Sequence, residues 1–161
     1  MFQLLLRDEQ LLTDIQGEKE DVFRQMLGAL PEWQLNKKQK QKVLEILLLR
    51  ESYGTTAAGG GLALPHGIAE QIKEPVAVLG ISREGVDFAA LDGEKVYLVY
   101  LLLVPAGEEA PTLKKKALLY ARKIFSDTFL QRRLCQTVDR EEAVRILQNV
   151  SLMTPSARAA S

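Results

Sequence analysis

One histidine, one cysteine and one tryptophan stand in a chain of 161 residues, and each scarcity removes a class of function. A metal site built from protein ligands draws on three or four side chains with several His or Cys among them, so neither a metal centre nor metal-dependent catalysis is expected. The single Cys135 rules out an intramolecular disulfide and reads as a small apolar residue on a helix. An excess of either charge is also missing: 21 Lys+Arg face 21 Asp+Glu, which recommends neither a nucleic-acid backbone nor an anionic membrane as partner. No window approaches the length of a membrane span, and the apolar run in residues 1–7 is too short for a signal peptide. The expectation is a cytoplasmic protein with no direct membrane insertion, no nucleic-acid partner and no cofactor.

What is present is enough hydrophobic surface for one ordinary core, 47% of an 18.0 kDa chain, which fits a single domain over residues 1–150 with a flexible tail at 151–161. Residues 2–6 read as a first short strand. Helical spacing of Val22, Met26, Leu27 and Leu30 predicts a helix over 18–30, closed by Pro31. Asn36 is a good N-cap for a second helix over 37–50, whose last turn is apolar nearly all round and is expected to be buried. Lys37, Lys38, Lys40 and Lys42 form a solvated face of that helix, since no aromatic residues are interleaved with them; Trp33, just before it, is read as packing. Two Val/Leu/Ile runs, 76–81 and 96–104, predict the buried centre of a sheet. Pro111 suits the first turn of a helix with an apolar stripe from Leu113 to Phe125; Asp127 and Asp139 cap two more, with Glu142 completing a capping box. Helices before, between and after strands make an α/β or α+β layered domain.

The stretch Leu62-Ala63-Leu64-Pro65-His66-Gly67 places the one histidine at the exit of a predicted strand. Pro65 lacks an N–H and fixes φ, while Gly67 lets the backbone turn with no side chain beside the ring. No Gly-x-Ser-x-Gly elbow accompanies it. An imidazole on its own can act as a nucleophile toward phosphorus, holding a phosphoryl group covalently with help from nearby cations; a half-buried histidine that only binds backbone is the structural alternative. Upstream, Gly59-Gly60-Gly61 can approach an anion closely, although the Gly-Lys-Ser/Thr of a Walker loop is missing.

Taken together, Leu49-Arg50-Glu51, Thr55-Thr56, Gly61 to Gly67, Gly85-Val86-Asp87-Phe88 and Leu91-Asp92-Gly93 resemble, in order and spacing, the fructose/mannitol-type (type 2) enzyme IIA domain of the bacterial phosphoenolpyruvate-dependent sugar phosphotransferase system. The resemblance runs from about residue 12 to 148. Arg132-Arg133-Leu134 and the stretch 139–147 are most similar to its nitrogen-related regulatory branch. The resemblance implies a mixed β-sheet sandwiched by helices. It also implies that His66 is the phosphoacceptor, taking phosphate from a histidine phosphocarrier protein and passing it to an enzyme IIB or acting on a regulated kinase or transporter. Arg50 matches the family's active-site arginine, whose planar fork can bind two phosphoryl oxygens while staying charged. Thr56, Gly60, Gly61 and Gly67 fall in the supporting segments.

One departure stands out. Such domains carry a second histidine in a His-Leu pair that opens the helix after the Val-Pro loop, and the corresponding pair here reads as Thr112-Leu113. Threonine can donate a hydrogen bond but cannot carry a proton charge beside a phosphoryl group. The leading expectation is a regulatory phosphohistidine carrier. The rivals are an interaction module that keeps the fold without depending on phosphotransfer, and a small hydrolase using His66 as base.

Overall fold

Strand β6 (Val96–Pro105) is the axis of the molecule, buried along nearly its whole length and paired on both sides. Its side chains alternate between two cores: Leu98, Tyr100, Leu102 and Val104 point into one, Val99, Leu101 and Leu103 into the other. A run apolar on both faces needs cover on both faces, and helices supply it. The structure, a computed structural model, describes residues 4–160, with side chains described as far as residue 150.

The sheet order is β1-β5-β6-β3-β2, with β4 also on β6. β5 (Val76–Val86) runs antiparallel to β6, β1 (Leu11–Leu12) parallel to β5, and β2 (Ala57–Gly59) antiparallel to β3 (Leu62–Ala63). β3 and β4 (His66–Ala69) both lie parallel to β6, pairing Leu62 with Leu98 and His66 with Leu102. They form one interrupted strand, broken at Leu64-Pro65 where proline has no amide to give. Helices α1 (Lys19–Gly28) and α2 (Lys37–Ser52) cover one face, and α3 (Ala110–Phe125), α4 (Thr128–Cys135) and α5 (Arg140–Ala160) cover the other. This is the mixed sheet sandwiched by helices, in a single domain.

The caps follow the local chemistry. Asn36 Oδ1 accepts from the Gln39 amide at 2.9 Å while Gln39 returns a bond to Asn36 N; Asp127 Oδ1 accepts from Phe129 and Leu130 amides; Asp139 accepts from Glu142 N, and Glu142 reaches Val138 N rather than Asp139. Such caps satisfy amides that have no partner inside the helix.

Several expectations need correction. In the expected strand over residues 2–6, the first two positions lie outside the described residues; Leu4–Leu6 is a turn with Leu5 at φ 59°, its leucines at positions 4 and 6 filling the core. β5 continues five residues beyond Ile81, through an irregularity that the charged Arg83-Glu84 pair conceals in the sequence. The end of α2 is only half covered: Leu47 is buried but Leu49 is 58% exposed. Trp33 does not pack into a core; it is exposed, and its ring faces the Arg7 guanidinium at 5.9 Å. The expected tail at 151–161 lies beyond the described side chains.

Candidate functional site

His66 is the first residue of β4, so it stands at a strand entry rather than the strand exit read from the sequence. The break at Pro65 produces this. Leu64 N is held by the Thr56 carbonyl and Pro65 O accepts from Leu102 N, so the bend is fixed on both sides and the ring emerges half-buried. Its Nδ1 lies 2.9 Å from the Leu64 carbonyl oxygen. A carbonyl can only accept, so Nδ1 carries the proton in the neutral ring and Nε2 keeps the lone pair. Burial holds the His66 pKa below the usual 6.5; the bond to Leu64 works against this, Lys114 and Arg50 lower it further, and Glu51 opposes them.

Gly67 positions the next element. A Cβ there would meet Ile46 Cγ2 at 3.3 Å and Leu47 Cδ2 at 3.6 Å, so the missing side chain is what lets α2 lie against β4. The last turn of α2 then delivers Arg50 and Glu51 beside the imidazole. Arg50 donates Nη1 to the Gly54 carbonyl at 2.8 Å, which ties the guanidinium to the loop after the helix and leaves other N–H groups for a ligand. Glu51 is buried and fully engaged: it accepts from Thr56 N at 3.1 Å, from the Thr56 hydroxyl and from Lys19 Nζ at 2.8 Å. Lys19 also stands over the Phe88 ring at 5.2 Å. Thr56 therefore belongs to the frame, its hydroxyl spent on Glu51.

A cleft of about 280 Å³ opens around the ring, lined among others by Arg50, Thr56, His66, Leu118 and Arg122. Larger clefts, of about 790, 630 and 400 Å³, lie elsewhere and contain neither His66 nor Arg50; the chemistry, not the size, marks the one around His66. Within it, Arg50, Arg122 and the nearby Lys114 surround a neutral ring. Among the described residues no carboxylate pairs with any of the three, the ion pairs being Lys19–Glu51 and Arg24–Glu20. Glu51, whose charge acts on the ring, is already neutralised from behind by Lys19.

The remaining residues singled out in the sequence lie apart. Gly60 and Gly61 form the tight β2–β3 turn at φ 63° and 84° and line the 630 Å³ cleft instead. The Gly60 amide already binds the Asp92 carboxylate at 2.9 Å. Thr112 is exposed and is not among the residues lining the His66 cleft. Pro111 falls in the first turn of α3, as the sequence suggests; Thr112 sits two residues before Lys114, about 200° around the helix from it. Lys114 and Arg122 carry no local signal in the sequence; their spacing with Leu118, four residues apart each way, becomes meaningful only once α3 is laid against the site. Cys135 is half-buried, with its thiol pKa pushed up by burial against an opposing Arg83, the opposite of an activated thiol.

Comparison with known proteins bears on the family and the fold. Residues 4–150 match the family described as phosphoenolpyruvate-dependent sugar phosphotransferase system, EIIA 2. A nitrogen regulatory protein of Bradyrhizobium diazoefficiens is 33% identical over 131 residues, 81% of this chain and 83% of its own length. The crystal structure of nitrogen regulatory protein IIA-Ntr from Neisseria meningitidis superposes with a TM-score of 0.77 at 28% identity, over 91% of this chain and 98% of that one. Enzyme IIAMtl of Escherichia coli, solved in complex with phosphorylated enzyme IIBMtl, shares the fold at a TM-score of 0.70 and 19% identity, over 89% and 97% of the two chains.

Proposed function

Because this chain belongs to the EIIA 2 family of the phosphoenolpyruvate-dependent sugar phosphotransferase system, we propose that it is a phosphohistidine carrier that accepts a phosphoryl group on Nε2 of His66 and acts as a regulator. The donor is a histidine phosphocarrier protein. In the transfer the His66 Nε2 lone pair forms a bond to phosphorus as the donor's P–N bond breaks, its electron pair returning to the donor ring; the proton on Nδ1 stays against the Leu64 carbonyl. Arg50 binds the equatorial oxygens as their charge spreads in the transition state.

The observation that carries this reading is the 2.9 Å contact between His66 Nδ1 and Leu64 O. It fixes the ring with its nucleophilic nitrogen outward, toward cations that have no acid of their own. The similarity to nitrogen regulatory proteins supports a regulatory output, and the IIAMtl–IIBMtl complex supports a phosphorylated protein as the exchange partner. Incubation with phosphoenolpyruvate, enzyme I and the phosphocarrier is expected to give an acid-labile adduct that is absent in His66→Ala. Failure to form any adduct with a cognate carrier would favour the interaction module that keeps the fold without the chemistry.

A further inference from the structure

Helix α3 presents Lys114, Leu118 and Arg122 at successive four-residue steps, one face of the helix. Arg122 and Leu118 line the His66 cleft directly, and Lys114 is close enough for its charge to act on the imidazole. Neither cation has a carboxylate partner among the described residues. Two unpaired cations on one helix face repel each other, and Lys114 also opposes protonation of the ring, so the arrangement costs free energy in the unphosphorylated protein. It becomes favourable only when a dianion arrives.

We propose that Lys114 and Arg122 contact the phosphoryl group of phosphorylated His66 and shift the transfer equilibrium toward this chain, making it a phosphate sink rather than a relay. This rests on the acceptor role given to His66 above. A histidine beside the acceptor would lose its charge across the physiological range and hold the phosphoryl group only conditionally. Lysine and arginine stay charged throughout. Their attraction acts on the product more than on the neutral ring, so it slows return transfer and lengthens the life of the phosphorylated state. Such a state reports on a donor pool over time, which suits a regulator.

The charged groups facing His66 are Arg50 and Glu51 from α2 and Lys114 and Arg122 from α3, with Lys19 of α1 behind Glu51. Their roles separate in two measurements on the whole chain. The first is an NMR titration of the single imidazole in the unphosphorylated protein; the second is the equilibrium constant for transfer from the phosphocarrier. Lys114→Ala is expected to raise the His66 pKa and to shift the equilibrium toward the carrier on the order of tenfold, the low end for one preorganised donor because the cleft is open to solvent. Arg122→Ala is expected to shift the equilibrium similarly with less effect on the free ring, on which Arg122 exerts no resolved influence. Lys115→Ala removes the same charge from an exposed position one residue away and is expected to change neither. A parent that is phosphorylated, with Lys114→Ala and Arg122→Ala giving the equilibrium of Lys115→Ala, overturns this inference alone. A parent that takes no phosphate, with the titration shift present, overturns the carrier reading and the sink with it.

Discussion

The Nδ1 of His66 and the carbonyl oxygen of Leu64, two residues earlier and 2.9 Å apart, set the orientation of the only imidazole in the chain. The contact exists because Pro65 interrupts the strand and leaves the Leu64 carbonyl free of the sheet ladder at that point. Its first consequence concerns pH. Transfer needs Nε2 unprotonated, and burial with Lys114 and Arg50 holds the His66 pKa below 6.5. The acid limb of the transfer-rate profile is therefore expected to have its midpoint below 6.5. A rate profile with its midpoint above 6.5, taken with a carrier that stays active, would contradict the buried neutral ring.

Arg50 is expected to matter for chemistry and little for folding. Arg50→Ala should slow transfer about a hundredfold, roughly 3 kcal/mol of transition-state stabilisation, with the urea midpoint nearly unchanged. Arg50→Lys keeps the charge without the planar fork and should recover only part of the rate. Single-turnover kinetics at the parent rate for Arg50→Ala would remove it from the site.

The Lys19–Glu51 pair is expected to matter for folding. The Glu51 side chain is 4% exposed and that of Lys19 25%, so Lys19→Met strands a buried carboxylate, though one still bonded to Thr56. Breaking a buried pair costs several kcal/mol, and partial exposure of Lys19 lowers that to about 2 kcal/mol, a fall in Tm of roughly 4–8 °C. Neutralising the acid as well, in Lys19→Met/Glu51→Gln, should return part of the loss. Calorimetry showing both variants at the parent Tm would mean that the pair is merely superficial.

Gly67→Ala tests the seating of α2. The added methyl must displace Ile46, 3.3 Å away, at a cost of about 1 kcal/mol or somewhat more. Because Arg50 rides on the same helix, the transfer rate should fall along with stability. A loss of stability with an unchanged rate would uncouple the helix position from the chemistry.

Much of this site is legible in the chain, because its strongest determinants are backbone residues. Pro65 and Gly67 announce that something special happens to the residue between them, Asn36 announces where α2 starts, and the apolar runs announce β5 and β6. Strands β1, β2 and β3 are two or three residues long, too short for any alternation to register; β1 forms along β5, β3 along β6, and β2 along β3. Lys114 and Arg122 are surface cations in a charged helix until the packing of α3 selects the face that meets His66. Thr112 illustrates the same limit from the other side: Pro111 marks the first turn, yet only the packing of α3 shows that Thr112, two residues from Lys114, lies off the face that meets His66. Restoring an imidazole by Thr112→His is accordingly expected to leave the transfer rate at the parent value.

The account rests on phosphoryl transfer to one nitrogen of one ring, and the absence of any other histidine makes that directly observable. With the chain labelled with 15N-histidine and treated with phosphoenolpyruvate, enzyme I and the phosphocarrier, NMR is expected to show the Nε2 resonance shifted and coupled to phosphorus, with Nδ1 still protonated. A spectrum that stays unchanged while the carrier itself is phosphorylated, or one that places the coupling on Nδ1, would contradict it.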